Sequence, residues 1–222
     1  MAGSRNTEKQ NVTISLSKNV LKKAKILAAR RETSISRLLA RELESLVGDE
    51  EAYERAERQA LALLDKGFHL GRGIRADGTS GMSDKIFVDT NILIYAHDVD
   101  AKAKQETAKR VLHQLWSERT GVLSTQVLQE FYVNVTRKIP RPLSKESARL
   151  VVSTYSIWCV DTTSAEIASA FRIEDESQIG FWDALIVAAA IKSGAIRLLS
   201  EDLNAGQTVS GVRVENPFAA TR

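Results

Sequence analysis

The run FVDTNILIYA (residues 87–96) decides how the larger part of this 222-residue chain folds. KIFV (85–88) is a short apolar run of strand length that stops on an acid, Asp89, and the apolar residues after it recur at helical spacing. The same texture returns downstream, where GVLS (121–124), SIWCV (156–160), IRLLS (196–200) and GVRV (211–214) are short apolar runs separated by helical segments. Strands alternating with helices build a mostly parallel α/β sheet with helices on both faces, so residues 82–222 read as one such domain.

Upstream the texture differs. Residues 67–84 (GFHLGRGIRADGTSGMSD) break all periodicity and hold five of the twelve glycines, which marks a linker. Before it, roughly 50–66 reads as an amphipathic helix with Tyr53, Ala56, Ala60, Leu63 and Leu64 on one face. Ser34 is a good N-cap for another helix with the stripe Ile35, Leu38, Leu39, Leu43, Leu46 and Val47, and Gly48 is its expected stop. VLKKAKILAARR (20–31) reads as a basic helix. Asn11-Val12-Thr13-Ile14-Ser15-Leu16 alternates polar and apolar, the period of a half-buried strand. A lone strand leaves its backbone groups unpaired, so a second copy of the chain is the expected partner. Residues 1–48 carry ten Lys/Arg against four Glu, an excess of basic charge in a chain whose net charge is only +3, which suits a surface facing nucleic acid.

Composition narrows the classes. A hydrophobic share of 43% with 27% charge supports a buried core rather than disorder. The single cysteine, Cys159, precludes an internal disulfide and a cysteine-pair zinc site, and reads as core. There is no membrane-length apolar run, and residues 1–10 have no signal-peptide character, so a cytoplasmic protein without a membrane partner is expected.

Four acids recur at corresponding positions of successive strand-helix units. Asp89 ends the first strand, Glu130 lies in the helix after the second, Asp183 enters the apolar helix FWDALIVAAA (181–190), and Asp202 follows the fourth strand. Each has a plainer reading alone: Asp89 and Asp183 as helix caps, Glu130 as a solvated helix residue, Asp202 as a loop residue. Together they place carboxylates along the strand-end edge of an open α/β sheet, where ligands bind. Crowded carboxylates raise one another's pKa unless a cation neutralises them, and oxygen donors suit Mg²⁺ or Mn²⁺. His97 and His113 are poorly placed for metal-free acid-base chemistry.

FVDTNILIYA (87–96), STQVLQEF (124–131), FWDALIVAAA (181–190) and LLSEDLNAGQ (198–207) resemble a PIN domain of the toxin kind. The resemblance implies a metal-dependent endoribonuclease acting on RNA, with Asp89, Glu130, Asp183 and Asp202 as metal-binding and catalytic acids, and Asn91, Ser200 and Thr125 in support. Glu201 is an alternative to Asp202. Ions of this kind activate water and stabilise charge on the attacking and leaving oxygens, leaving a 5′-phosphate and a 3′-hydroxyl.

The strand-helix-helix pattern of residues 1–48 resembles the ribbon-helix-helix DNA-binding proteins. That implies a homo-oligomer built on a two-stranded ribbon, with Asn11, Thr13 and Ser15 reaching operator DNA and Lys9 and Lys18 contacting phosphate. Together the halves resemble a VapBC toxin-antitoxin pair in one chain. The antitoxin-like part would then continue through 49–81 as a helix and an inhibitory tail, with Phe68 and Leu70 anchoring it and Arg72 or Arg75 pairing with the acidic pocket, in cis or in trans. A simple linker remains the alternative for this tail. For the whole chain the alternative is a ribbon-helix-helix transcriptional regulator whose PIN-like half binds without cutting.

Overall fold

The computed structural model describes residues 10–65 and 84–219. They fall into two compact units that meet in sequence between Glu51 and Ala52.

In the first unit, helix α1 (Lys18–Arg30) opens where the Ser17 hydroxyl accepts the Val20 N–H, and helix α2 (Ile35–Asp65) opens where the Ser34 hydroxyl accepts the Arg37 N–H. Ser34 therefore caps as its residue type predicts. Gly48 does not stop the helix: α2 runs on through it for 31 residues, so the two helices expected on either side of Gly48 are one. Glycine costs a helix only about 1 kcal/mol, and the good helix formers on both sides outweigh that. The strand expected at Asn11–Leu16 is also not formed in the single chain. Val12, Ile14 and Leu16 are exposed there, as are Leu43, Leu46 and Val47 of the predicted stripe; Ala28 and Leu38 are buried. A strand is defined by its ladder, and among the described residues this segment pairs with no other strand; the partner expected for it is a second copy.

The second unit is built on a six-stranded sheet. Its strands are β1 (Lys85–Val88), β2 (Gly121–Ser124), β3 (Cys159–Val160), β4 (Ala195–Leu199), β5 (Thr208–Val209) and β6 (Val212–Glu215), in the order β3-β2-β1-β4-β6-β5. All neighbours run parallel except β5 and β6, a short antiparallel hairpin that the apolar runs do not reveal. Only the last two residues of SIWCV join the sheet, the first three forming a 3-10 turn. Side chains alternate between the faces of a strand, so the unbroken burial of β2 and of Ile86–Val88 means that both faces are covered. The covering helices are α3 (Thr90–His97), α4 (Ala103–Glu118), α5 (Thr125–Arg137), α6 (Lys145–Tyr155), α7 (Ser164–Ser177) and α8 (Phe181–Ser193). From Ala184 to Ala190 every residue of α8 is buried, as its apolar sequence requires.

The last turns of α2 belong to this core. Ala60 and Leu64 are buried in it, and Tyr53 packs its ring 5.5 Å from Trp116 while its hydroxyl donates to the Trp116 carbonyl. Trp116 in turn stacks on Trp158 at 4.2 Å. That pair explains Gly121: a Cβ there would lie 2.6 Å from the Trp158 ring. Gly121→Ala is therefore expected to destabilise the protein by about 1–3 kcal/mol through overpacking. Equilibrium denaturant unfolding measures this, and an unchanged midpoint would remove the close approach as the reason for glycine.

Candidate functional site

Strand β1 lies between β2 and β4, and the chain leaves it toward β2 first and returns on its other side at β4. The crevice beyond the carboxyl ends of β1 and β4 is thus the point where the strand order reverses. Asp89 and Ser200 stand there side by side, each one residue past the paired positions Val88 and Leu199. The Asp89 N–H donates to the Leu199 carbonyl and the Ser200 N–H to that of Glu215, so both side chains are carried by the sheet's own ladder.

Asp89 is 8% exposed, and Ser200 fully buried. One Asp89 oxygen accepts the Thr90 N–H at 2.6 Å, so the residue also caps α3. The other accepts the Ser200 hydroxyl at 2.6 Å and the Asn91 amide at 3.0 Å. The same Asn91 Nδ2 donates to Asp202 at 3.1 Å, tying together acids 113 residues apart in the chain. Asp202 is held in addition by its own N–H, which donates to Ser200 Oγ.

A second branch reaches Glu130. The Thr90 hydroxyl donates to one of its oxygens at 2.6 Å and the Gln126 amide to the other at 2.9 Å. Gln126 also donates to the Trp182 carbonyl, which joins α5 to the first turn of α8, where Asp183 stands half-buried. Thr90 and Gln126 had no distinguishing signal in the sequence beyond their spacing: Thr90 lies between two site residues, and Gln126 is one helical turn before Glu130.

Burial pushes the Asp89 carboxyl up to about 6; hydrogen bonds from Ser200 and Thr90 oppose the rise, and the Asp202 and Glu130 charges add to it. Asp183 is raised by its burial and by the same two acids. Asn91 Oδ1 and Gln126 Oε1 are buried beside these carboxylates without a hydrogen-bond partner in the protein. Carboxylate and amide oxygens of this kind suit a hard divalent cation. Among the described residues no three His, Cys, Asp or Glu side chains converge into a ready metal cage.

Other expected residues are placed elsewhere. Thr125 turns its hydroxyl toward Cys159 Sγ at 3.7 Å, away from the acids, because it begins α5 on the side that faces β3. Glu201 is no stand-in for Asp202: it accepts the Tyr95 hydroxyl at 2.6 Å and is ion-paired with Lys104. Asn11, Thr13, Ser15 and Lys18 are exposed. Lys9, Phe68, Leu70, Arg72 and Arg75 lie outside the described residues. No described helix is long and apolar enough to cross a membrane.

The raised Asp89 pKa has a measurable consequence. The unfolded chain releases this proton near 3.8 and the folded one near 6. The associated stability is complete below pH 3.8 and lost as the pH rises through 6. In the metal-free protein, Asp89→Asn is expected to gain about 2–3 kcal/mol over the parent between pH 4 and pH 7.5. Unfolding free energies of both proteins at the two pH values test this, and a difference that does not change with pH would contradict it.

The sequence signature of the PIN domain matches residues 86–208. Among solved structures, a toxin-antitoxin complex from Klebsiella pneumoniae is 20% identical over 61% of this chain and 98% of its own, with a TM-score of 0.45. DNA-bound VapBC from Salmonella typhimurium is 19% identical over 61% and 99%, at 0.46. The sarcin-ricin loop cleaving toxin VapC20 of Mycobacterium tuberculosis is 23% identical over 51% and 87%, at 0.38. No curated protein matches the chain. With its signature spanning more than half of the sequence, from β1 to β5, the chain belongs to the PIN domain family.

Proposed function

We propose that the protein is a toxin-antitoxin fusion whose second unit is an Mg²⁺- or Mn²⁺-dependent endoribonuclease, inhibited by the antitoxin-like segment joined to it. The observation that carries this reading is Asp89, whose burial at the strand-order reversal raises its proton affinity, with smaller additions from the Asp202 and Glu130 charges. A fold keeps such a cost where a ligand relieves it. Asp89, Glu130, Asp183 and Asp202 would hold the ion. Bound there, it supplies activation of water and neutralisation of charge at the scissile phosphodiester. Ser200, Asn91 and Thr90 fix the orientation of the Asp89 carboxylate, and Thr90 with Gln126 fixes both oxygens of Glu130. Asn91 keeps Asp202 in register with Asp89.

In the same reading, residues 1–48 form a ribbon-helix-helix domain that pairs with a second copy and binds operator DNA through Asn11, Thr13 and Ser15, with Lys9 and Lys18 on phosphate. The exposed Val12, Ile14, Leu16, Leu43, Leu46 and Val47 support a partner copy, since they form an apolar set that the single chain leaves in water. Residues 49–81 are the helix and the neutralising tail, with Phe68 and Leu70 as anchors and Arg72 and Arg75 opposing the metal at the acids. Covalent attachment sets a local inhibitor concentration of roughly millimolar, so dilution does not release the enzyme.

Two experiments test these parts separately. The full chain is expected to cleave RNA poorly in Mn²⁺ and the Arg72→Ala/Arg75→Ala chain at least tenfold faster, with Asp89→Asn abolishing the released activity. A fragment starting at residue 82 is the wrong probe, because it strips Tyr53, Ala60 and Leu64 from the core. Absence of cleavage by the released chain would leave a binding protein instead. Sedimentation of the full chain is expected to give a dimer or larger, and Thr13→Ala to reduce preference for operator over random DNA more than overall affinity. A strictly monomeric chain at micromolar concentration would remove the ribbon-helix-helix assignment.

A further inference from the structure

The chain has three tryptophans, and the fold uses two of them. Trp116 and Trp158 are buried and stacked on each other, whereas Trp182 is 63% exposed. It is placed with care for a side chain that packs so little. Its carbonyl accepts the Gln126 amide that also holds Glu130, and the next residue is Asp183. Its ring meets Phe181 edge-on at 5.3 Å, and Phe181 lies 5.5 Å from Phe171, so an aromatic backing limits the ring's freedom.

We propose that the Trp182 indole is a stacking platform for one base of single-stranded RNA beside the acid site, an assignment that rests on the ribonuclease reading above. The ion that Asp89, Glu130, Asp183 and Asp202 would hold takes up the phosphate charge, which leaves the base itself to an uncharged contact. Stacking needs no charge and accepts any base, because every base has a π-face. Trp182 and Asp183 are consecutive residues in the first turn of α8, and the Gln126 amide that holds Glu130 also holds the Trp182 carbonyl, which fixes the backbone carrying the indole at the edge of the acid site. A base already paired and stacked in a duplex has no free face to offer, which makes unpaired RNA the matching substrate class.

The test measures binding apart from cleavage. The full chain carrying Arg72→Ala/Arg75→Ala is titrated into a fluorescent, unstructured RNA decamer with Ca²⁺ as the neutralising ion, and anisotropy reports Kd. Trp182→Ala is expected to weaken binding about tenfold, and Trp182→Phe to recover most of the loss, since a smaller ring still stacks. Truncating the side chain leaves the carbonyl held by Gln126, so the acid site keeps its support. An unchanged Kd in Trp182→Ala, no rescue by Phe, or no RNA binding by the parent would overturn the proposal. A smaller oligomer in sedimentation of Trp182→Ala would overturn it too, by assigning the ring to a protein interface. Cleavage in Mn²⁺ is read separately: tight, Trp182-dependent binding without cleavage would sink the ribonuclease reading and keep the platform.

Discussion

A carboxylate buried at the end of a central strand is the constraint around which the second unit is arranged. Leaving Asp89 ionised in that position without partners would cost several kcal/mol. The fold meets the cost with three donors, the Thr90 N–H, the Ser200 hydroxyl and the Asn91 amide, and none of the three is a cation. The residual strain is electrostatic, and it shows as a carboxyl whose pKa stands near 6. Two further links in the site start from this one. Asn91 reaches Asp202 from Asp89, and Thr90 reaches Glu130 from the helix that Asp89 caps.

The same position explains the sheet around it. Asp89 can be buried only if β1 is flanked on both sides, and its neighbours are β2 and β4. The parallel register that sets Val88 opposite Leu199 also sets Asp89 beside Ser200. A slip of one residue in that pairing would turn the Ser200 hydroxyl to the other face of the sheet and leave the acid without its closest side-chain donor. The packing of the strands and the chemistry of the site are thus one requirement.

Helix α2 shows how one element can answer two environments. Its closing turns bury Ala60 and Leu64 in the second unit's core, whereas Leu43, Leu46 and Val47 nearer its start remain in water. Both stretches have the apolar spacing of a packed helix face. Among the described residues only the closing turns meet a partner.

The sequence alone determined the α/β class, the places of β1, β2 and β4, the cap at Ser34 and the positions of the four acids relative to strand ends, because these follow from local periodicity and residue type. It misread what depends on partners distant in sequence. Gly48 has the chemistry of a helix stop, but the residues on either side continue the helix through it. Asn11–Leu16 is a different case: it has the alternation of a strand, and the partner expected for it is a second copy, so a single chain leaves that expectation open to test. Thr125 and Thr90 are equally plausible hydroxyls beside the acids, and the direction in which each helix leaves its strand sends one to Cys159 and the other to Glu130. Glu201 and Asp202 are adjacent carboxylates, and the packing of Tyr95 and Lys104 against the loop decided which of them faces Asn91. Residue type and spacing place a functional group along the chain; only the register of strands and the packing of helices aim it, since aiming depends on contacts between segments as far apart as Asp89 and Asp202.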